Sequence, residues 1–167
     1  MFDATTVANT ILYKAFQEGK DITPLQLQKI LYFISSHYAK ISNKRVINED
    51  FETWTYGPVL PSVYQEFKVY GANPIKSYAQ DSKGKSTIVN LQDNKTFESV
   101  LNAVYGVTVG KPGVFLSQIT HKDGSAWSLA DKTKSPTLNW QDIKNDTSYY
   151  EDFPALGISL GTNKNGK

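Results

Sequence analysis

Apolar residues recur at spacings of three and four along most of this chain, which is the pattern of amphipathic helices. The first such segment carries an apolar stripe through Val7, Ile11 and Ala15. Asp3 is placed to cap its N-terminus, and Gly19 is placed to end it. We therefore predict a first helix between these two residues.

The second segment, residues 23–42, has a stronger start signal. Residues 23–26 (TPLQ) combine a capping threonine, a proline at the first helical position and a glutamine three residues after the cap. Tyr32 and Phe33 widen its apolar stripe, so we expect more than one side of this helix to be buried. Because the link before it is short, this helix should pack against the first as an antiparallel pair.

The stretch 51–71 (FETWTYGPVLPSVYQEFKVYG) interrupts the helical pattern and holds six aromatic side chains. Residues 51–56 alternate between two faces, which predicts a short extended segment. Gly57-Pro58 then predicts a turn, because proline fixes its own φ and disfavours the α region for the residue before it. Helical spacing returns after Pro61, and Gly71 is placed to end that helix.

Four further helices are predicted in the second half of the chain, each from apolar residues that follow a capping or starting residue. The predicted starts are Asp93 or Asn94, Pro112, Ser125 (a one-turn helix) and Asn139. The apolar face of the last helix is predicted to include Phe153. Before these helices, residues 80–85 are polar and contain glycine, so we expect an exposed, mobile loop there.

These elements indicate a mainly α fold: a compact single-domain helical bundle with at most a small two-stranded β ribbon. The ribbon would pair residues 51–56 with residues 86–91 (STIVNL), which are short and β-branched. Neither an internal repeat nor a long linker divides the chain. We expect one domain over residues 1–157 and a flexible C-terminal tail over residues 158–167, where the composition turns polar.

Composition narrows the classes of function. The chain has no cysteine, which excludes disulfides, thiolate zinc sites and a thiol nucleophile. The net charge is +2 and Arg45 is the only arginine, so the clustered basic surface of a nucleic-acid-binding protein is missing. No apolar run approaches the roughly 18 residues of a membrane helix, and the N-terminus does not resemble a secretory signal. We expect a soluble cytoplasmic protein with no membrane or nucleic-acid partner, and its ten tyrosines favour a protein-binding surface.

Three residues of hydrolase type, His121, Asp123 and Ser125, lie within five positions of one another. A catalytic triad is recognised by its geometry, and residues this close in one turn rarely converge. An Asp-x-Gly turn followed by a serine cap explains the same residues. His37 and His121 are too few to indicate a metal site in a chain without cysteine. The sequence therefore predicts no catalytic residue, no metal and no cofactor.

The aromatic residues of the stretch 51–71 have two interpretations. Trp54 and Phe67 can fill the core, because large aromatic side chains dominate core energetics. Tyr56 and Tyr64 can instead keep their hydroxyl groups near the surface and line a binding groove. The candidate partner-binding residues, which add neighbours of these four and the turn that carries His121, are Trp54, Tyr56, Pro58, Val59, Tyr64, Phe67, Lys68, His121 and Trp127.

Several segments of the chain together resemble the Panacea domain of the SocA-like, phage-associated antitoxins. The segments are residues 23–25 (TPL) with 27–33 (LQKILYF), the stretch 51–71, residues 104–106 (VYG), and Thr120-His121 followed by Trp127. The resemblance covers roughly residues 5–153. Its long pattern W-x-YGPV-x-P-x-VY-x-x-F-x-x-YG is specific, whereas the family's usual proline before the last tryptophan is replaced here by Ala126.

This resemblance implies a mostly helical, non-enzymatic antitoxin of a type II toxin–antitoxin system. Such a protein neutralises a cognate protein toxin, encoded beside it, by direct protein–protein binding. Two alternatives on the same scaffold are a phage-encoded anti-defence protein that binds a host immune enzyme, and an adaptor that presents its toxin to a host protease. A small hydrolase and a DNA-binding repressor are the hypotheses from other classes. The chain lacks a sizeable extra segment for contacting DNA, which weakens the repressor hypothesis.

Overall fold

The computed structural model describes residues 1–158, so nearly all of the predicted tail lies outside the described residues. The described chain is mainly helical with one small ribbon, which confirms the predicted fold class. No helix within residues 1–158 has both the length and the apolar character needed to cross a bilayer. The elements are α1 (Ala4–Gln17), α2 (Pro24–Ser42), β1 (Glu52–Trp54), β2 (Gly57–Val59), α3 (Pro61–Phe67), a 3-10 helix (Lys68–Tyr70), α4 (Lys95–Thr108), α5 (Gly113–Thr120), α6 (Ala126–Lys132) and α7 (Trp140–Asn145), and residues 154–158 are also helical.

Helix α2 lies at the centre of the molecule and packs against α4, α5 and α7 as well as against β2 and α3. Its start has the predicted capping box: the Gln26 amide donates to Thr23 Oγ1 at 3.3 Å, and the Thr23 amide donates to Gln26 Oε1 at 2.8 Å. Tyr32 and Phe33 are both buried. The prediction that this helix is buried on more than one side is confirmed.

The ribbon differs from the predicted one. Strand β1 pairs with β2 in antiparallel register, with Thr53 opposite Pro58, and the turn between them is Thr55–Tyr56. The prediction that Gly57-Pro58 forms the turn is therefore wrong, because both residues belong to strand β2. The prediction that residues 86–91 form the second strand is wrong as well, since they adopt no regular structure.

Residues 79–89 form an irregular segment that two buried polar side chains of α1 hold in place. Asn9 Oδ1 accepts from the Ala79 amide at 2.8 Å, while Asn9 Nδ2 donates to the carbonyls of Ala79 at 3.0 Å and Thr87 at 3.2 Å. Thr10 Oγ1 accepts from the Val89 amide at 2.9 Å. These bonds supply backbone partners that a neighbouring strand would otherwise provide, and residues 80–88 are exposed, as predicted for residues 80–85.

The last predicted helix is shorter than its apolar pattern suggests. Asn139 caps α7 by accepting from two backbone amides, as predicted, but the helix ends at Asn145. The buried carboxylate of Asp146 then accepts from the amide of Ser148 at 2.9 Å and from the hydroxyl group of Tyr32. This turn ends the helix, so Phe153 reaches the core from the segment after it, and its predicted place on the helix is wrong.

Candidate partner-binding groove

An apolar groove of about 200 Å³ lies between the start of α2 and the unit formed by the ribbon and α3. Val59, Val63 and Phe67 are its buried apolar residues, whereas Tyr56 is 70% exposed and Tyr64 is 39% exposed. None of the lining side chains carries a charge. The lining residues are Pro24, Leu25, Gln28, Trp54, Tyr56, Val59, Val63, Tyr64, Phe67 and Gly71.

Trp54 and Tyr64 form an aromatic pair in this groove. Their rings meet edge to face, with centroids 4.8 Å apart and an interplanar angle of 64°. The Trp54 indole N–H donates to Glu52 Oε1 at 2.8 Å, which is possible because alternate residues of a strand share a face. Since this donor is satisfied within the protein, the half-buried indole contributes apolar surface to the groove.

Gln28 is the polar member of the lining that comes from α2. Its Oε1 accepts from the Leu60 amide at 2.9 Å, and its Nε2 donates to the Leu60 carbonyl at 3.1 Å. The carboxamide thereby bonds both backbone groups of Leu60, as a neighbouring strand would. The groove therefore presents apolar side chains whose polar neighbours already have partners inside the protein.

His121 and Trp127 lie behind the ribbon, outside the lining of the groove. The Trp127 indole N–H donates to the Trp54 carbonyl at 2.8 Å, and His121 Nε2 lies 2.9 Å from the Thr55 carbonyl oxygen. The two rings meet edge to face with centroids 4.1 Å apart. These two residues therefore support the backbone that carries the groove-lining side chains.

Lys29 lies beneath the same ribbon and is fully buried. Its Nζ donates to the Pro58 carbonyl at 2.9 Å, and burial lowers the pKa of its ammonium to about 7. Gly57 packs directly against it: a Cβ added at Gly57 would lie 3.0 Å from Lys29 Nζ and 2.6 Å from Thr120 Oγ1. Gly57 also has a φ of 110°, which L side chains rarely adopt, so this position requires glycine.

The structure thus separates the nine candidate residues into groups. The role of all nine in partner binding stays a prediction. Pro58 is buried and contributes its carbonyl, and Lys68 is exposed on the 3-10 helix outside the lining. His121 and Trp127 support the ribbon from behind. Those that line the groove are Trp54, Tyr56, Val59, Tyr64 and Phe67.

Sequence reasoning missed the contribution of α2 to the groove. Pro24 and Leu25 line it, Gln28 holds its edge, and Lys29 holds the strand below it. The sequence does contain a signal for this contribution. The wide apolar stripe of the helix leaves little exposed face for Gln28 and Lys29, the two polar residues of LQKILYF. Buried polar side chains normally have hydrogen-bond partners, so both side chains are expected to bond specific groups inside the protein.

The residues of hydrolase type do not form a triad. Both ring nitrogens of His121 face backbone carbonyls, since Nδ1 lies 2.6 Å from the Ser117 oxygen. Ser125 caps α6 by accepting from the Ser128 amide at 3.0 Å, and Asp123 is exposed with Lys132 Nζ at 3.2 Å. Within residues 1–158, no group of three or more histidine, aspartate or glutamate side chains is placed to hold a metal ion.

The comparisons with known proteins agree with the motifs. A family model described as Antitoxin SocA-like, Panacea domain, matches residues 27–128, which contain most of the groove. Antitoxin SocA of Caulobacter vibrioides (strain NA1000 / CB15N) is 30% identical over 131 residues, which cover 76% of this chain and 69% of that protein. No solved structure matches the chain significantly. The chain therefore belongs to the SocA-like antitoxin family of the Panacea domain.

Proposed function

We propose that this protein is the antitoxin of a type II toxin–antitoxin system and neutralises a protein toxin by binding it directly through the groove. Membership of the family and the similarity to a protein named Antitoxin SocA support the antitoxin role. The observation that carries the binding surface is the convergence of Trp54, Tyr56 and Tyr64 on one apolar groove. Large aromatic residues of this kind are enriched among the anchor residues of protein interfaces.

The chemistry of the groove defines what the toxin must present. A charged side chain placed here would be desolvated without a counter-ion, because the lining carries no charge. Bulky apolar or aromatic side chains of the toxin would gain contacts with Val59 and Phe67 at the bottom of the groove. Tyr56 and Tyr64 are the exposed tyrosines of the groove, so their hydroxyl groups can bond polar groups of the toxin or water at the rim.

Neutralisation in this proposal needs no chemistry from the chain. A stoichiometric complex covers the active site of the toxin or the surface on which the toxin's own substrate docks. Release of the toxin then depends on dissociation or loss of the antitoxin, and inhibition follows the ratio of the two proteins.

Co-expression tests the antitoxin role. The product of the adjacent reading frame is expressed alone and together with this protein, and growth and co-purification are scored. We expect growth arrest by the neighbour alone, rescue by co-expression, and elution of both proteins as one complex. A harmless neighbour that never co-purifies would refute the antitoxin role.

A matched pair of variants tests the groove. Tyr64 and Tyr13 have nearly equal exposure, 39% and 38%, but Tyr13 is on α1, outside the groove. Tyr64→Ala should weaken toxin binding by about 2 kcal/mol, or about 30-fold in Kd, and Tyr56→Ala should act similarly. Tyr13→Ala should leave Kd unchanged. Equal Kd values for the Tyr64 and Tyr13 variants, measured by titration calorimetry, would move the toxin interface to another surface.

A further inference from the structure

Side chains from other elements contact five backbone carbonyls of the ribbon, its turn and the residue after it. Four of them donate hydrogen bonds to the carbonyls of residues 54, 56, 58 and 60, and His121 Nε2 lies 2.9 Å from the carbonyl oxygen of residue 55, so the turn and strand β2 are held from outside the ribbon. We call this set the carbonyl clamp. Its members are Gln28, Lys29, Ser117, His121 and Trp127.

Lys29 is the unusual member of the carbonyl clamp. It is the clamp residue with 0% exposure, and among the described residues no carboxylate forms an ion pair with its ammonium. Burial of an unpaired ammonium with one protein hydrogen bond opposes folding. A methionine would fill the same volume without that penalty, so stability of the fold does not explain a lysine here.

The position of Lys29 explains what its ammonium provides. Pro58 has no backbone N–H, so its carbonyl is the group through which α2 can hold the middle of strand β2. Gly57, which lacks a side chain, allows Nζ to approach the strand this closely. Val59, which follows Pro58 in the strand, lines the groove. Tyr56, which precedes Gly57 at the turn, lines it as well.

We propose that Lys29 is a positioning residue for partner binding, whose Nζ holds the Pro58 carbonyl and so presents Tyr56 and Val59 to the partner at the expense of fold stability. The effect on partner binding rests on the proposed function. The effect on the ribbon does not, because it concerns the free protein.

Lys40 offers a matched control on the same helix. It is half-buried, and its Nζ donates to Ser36 Oγ at 2.8 Å and to the Tyr149 hydroxyl at 2.9 Å, far along α2 from the ribbon. Lys29→Met and Lys40→Met therefore remove the same amine from two enclosed sites. Only the first removes a donor to the ribbon.

Hydrogen exchange of the free proteins, followed by mass spectrometry, tests the positioning role. Lys29→Met should speed exchange of the amides in residues 53–60 about tenfold, as loss of one hydrogen bond in a locally opening segment does. Its thermal midpoint should equal or exceed that of the wild type. Lys40→Met should leave exchange in residues 53–60 unchanged. Ser117→Ala, which removes the donor 2.6 Å from the Tyr56 carbonyl, should speed exchange in the same residues.

Two results for the free protein would overturn the proposal. One is wild-type exchange of residues 53–60 in Lys29→Met. The other is a lowered midpoint or loss of fold in Lys29→Met under conditions where Lys40→Met folds, because Lys29 would then be an ordinary stabilising residue.

Binding is measured with the co-purified product of the adjacent reading frame as the probe. Lys29→Met should raise Kd at least about tenfold, while Lys40→Met should bind as the wild type does. Failure of the proposed function appears as no binding by the wild-type protein. If the wild type binds the probe and Lys29→Met binds it with the same affinity, the proposed function stands and this inference is wrong.

Discussion

The unpaired ammonium of Lys29 should make the stability of this protein rise with pH above neutrality. Burial lowers its pKa from the ordinary 10.5 to about 7. Between these two values the unfolded chain holds the proton and the folded protein has lost it, so the free energy of unfolding increases as the pH increases. Below about pH 7 both states bind the proton, and this contribution becomes constant.

The size of this change in the free energy of unfolding follows from the difference between the folded and unfolded pKa of Lys29. Lys29 should add about 2 kcal/mol to the free energy of unfolding between about pH 7 and about pH 9, and about 5 kcal/mol over the whole window up to its unfolded pKa. Lys40, whose pKa burial lowers to about 8, adds about 1 kcal/mol in the same direction by about pH 9. Burial raises the pKa of Tyr32 and Tyr149, which acts in the opposite direction once unfolded tyrosine ionises near pH 10.

The assay is urea unfolding followed by tryptophan fluorescence at about pH 7 and about pH 9, for the wild type, Lys29→Met and Lys40→Met. At each pH, the free energy of unfolding of Lys29→Met is subtracted from that of the wild type, which removes the contributions of all other titrating groups. This difference should be about 2 kcal/mol more favourable to the wild type at about pH 9 than at about pH 7. An identical difference at both pH values would refute the reasoning, because Lys29 would then titrate in the folded protein as it does in the unfolded chain.

Five further substitutions should change stability by amounts set by their contacts, and urea unfolding measures each. Phe67→Ala should cost about 4 kcal/mol because the ring is 2% exposed, whereas Tyr56→Ala at the exposed rim should cost less than about 1 kcal/mol. Asn9→Ala should cost about 3 kcal/mol by leaving the Ala79 backbone without partners, and it should speed proteolysis within residues 80–88. Gly57→Ala should cost about 3 kcal/mol, and Thr120→Ala should restore part of that loss by removing the closest atom.

Local signals in the sequence predict the helices well. The start of α2 is specified by Thr23, Pro24 and Gln26, which lie next to one another, and the structure contains that capping box. Ser125 and Asn139 likewise cap their helices through their own side chains. Such signals succeed because cause and effect lie within four residues of each other.

The ribbon and the back of the groove depend on distant residues, so local signals mislead there. Gly57-Pro58 is a strong turn signal, yet Lys29 and Thr120 surround Gly57 and the pair lies in a strand. The sequence places Trp54, Tyr56 and Tyr64 in one stretch, but their grouping around a groove requires Leu25 and Gln28 of α2. The burial of Lys29 depends on which helices pack around α2, and local patterns in the sequence do not specify that packing.

The carbonyl clamp also sets the order in which the surface is completed during synthesis. The ribbon leaves the ribosome well before Ser117, His121 and Trp127 have been translated. At roughly 5–20 residues per second, the carbonyls that these side chains later bond are exposed to water for several seconds. A nascent or prematurely terminated chain that stops before α5 carries every aromatic residue of the groove but lacks Ser117, His121 and Trp127, three of the five side chains of the carbonyl clamp. In the proposed function, competence to bind the toxin is therefore acquired late, when most of the domain has been translated.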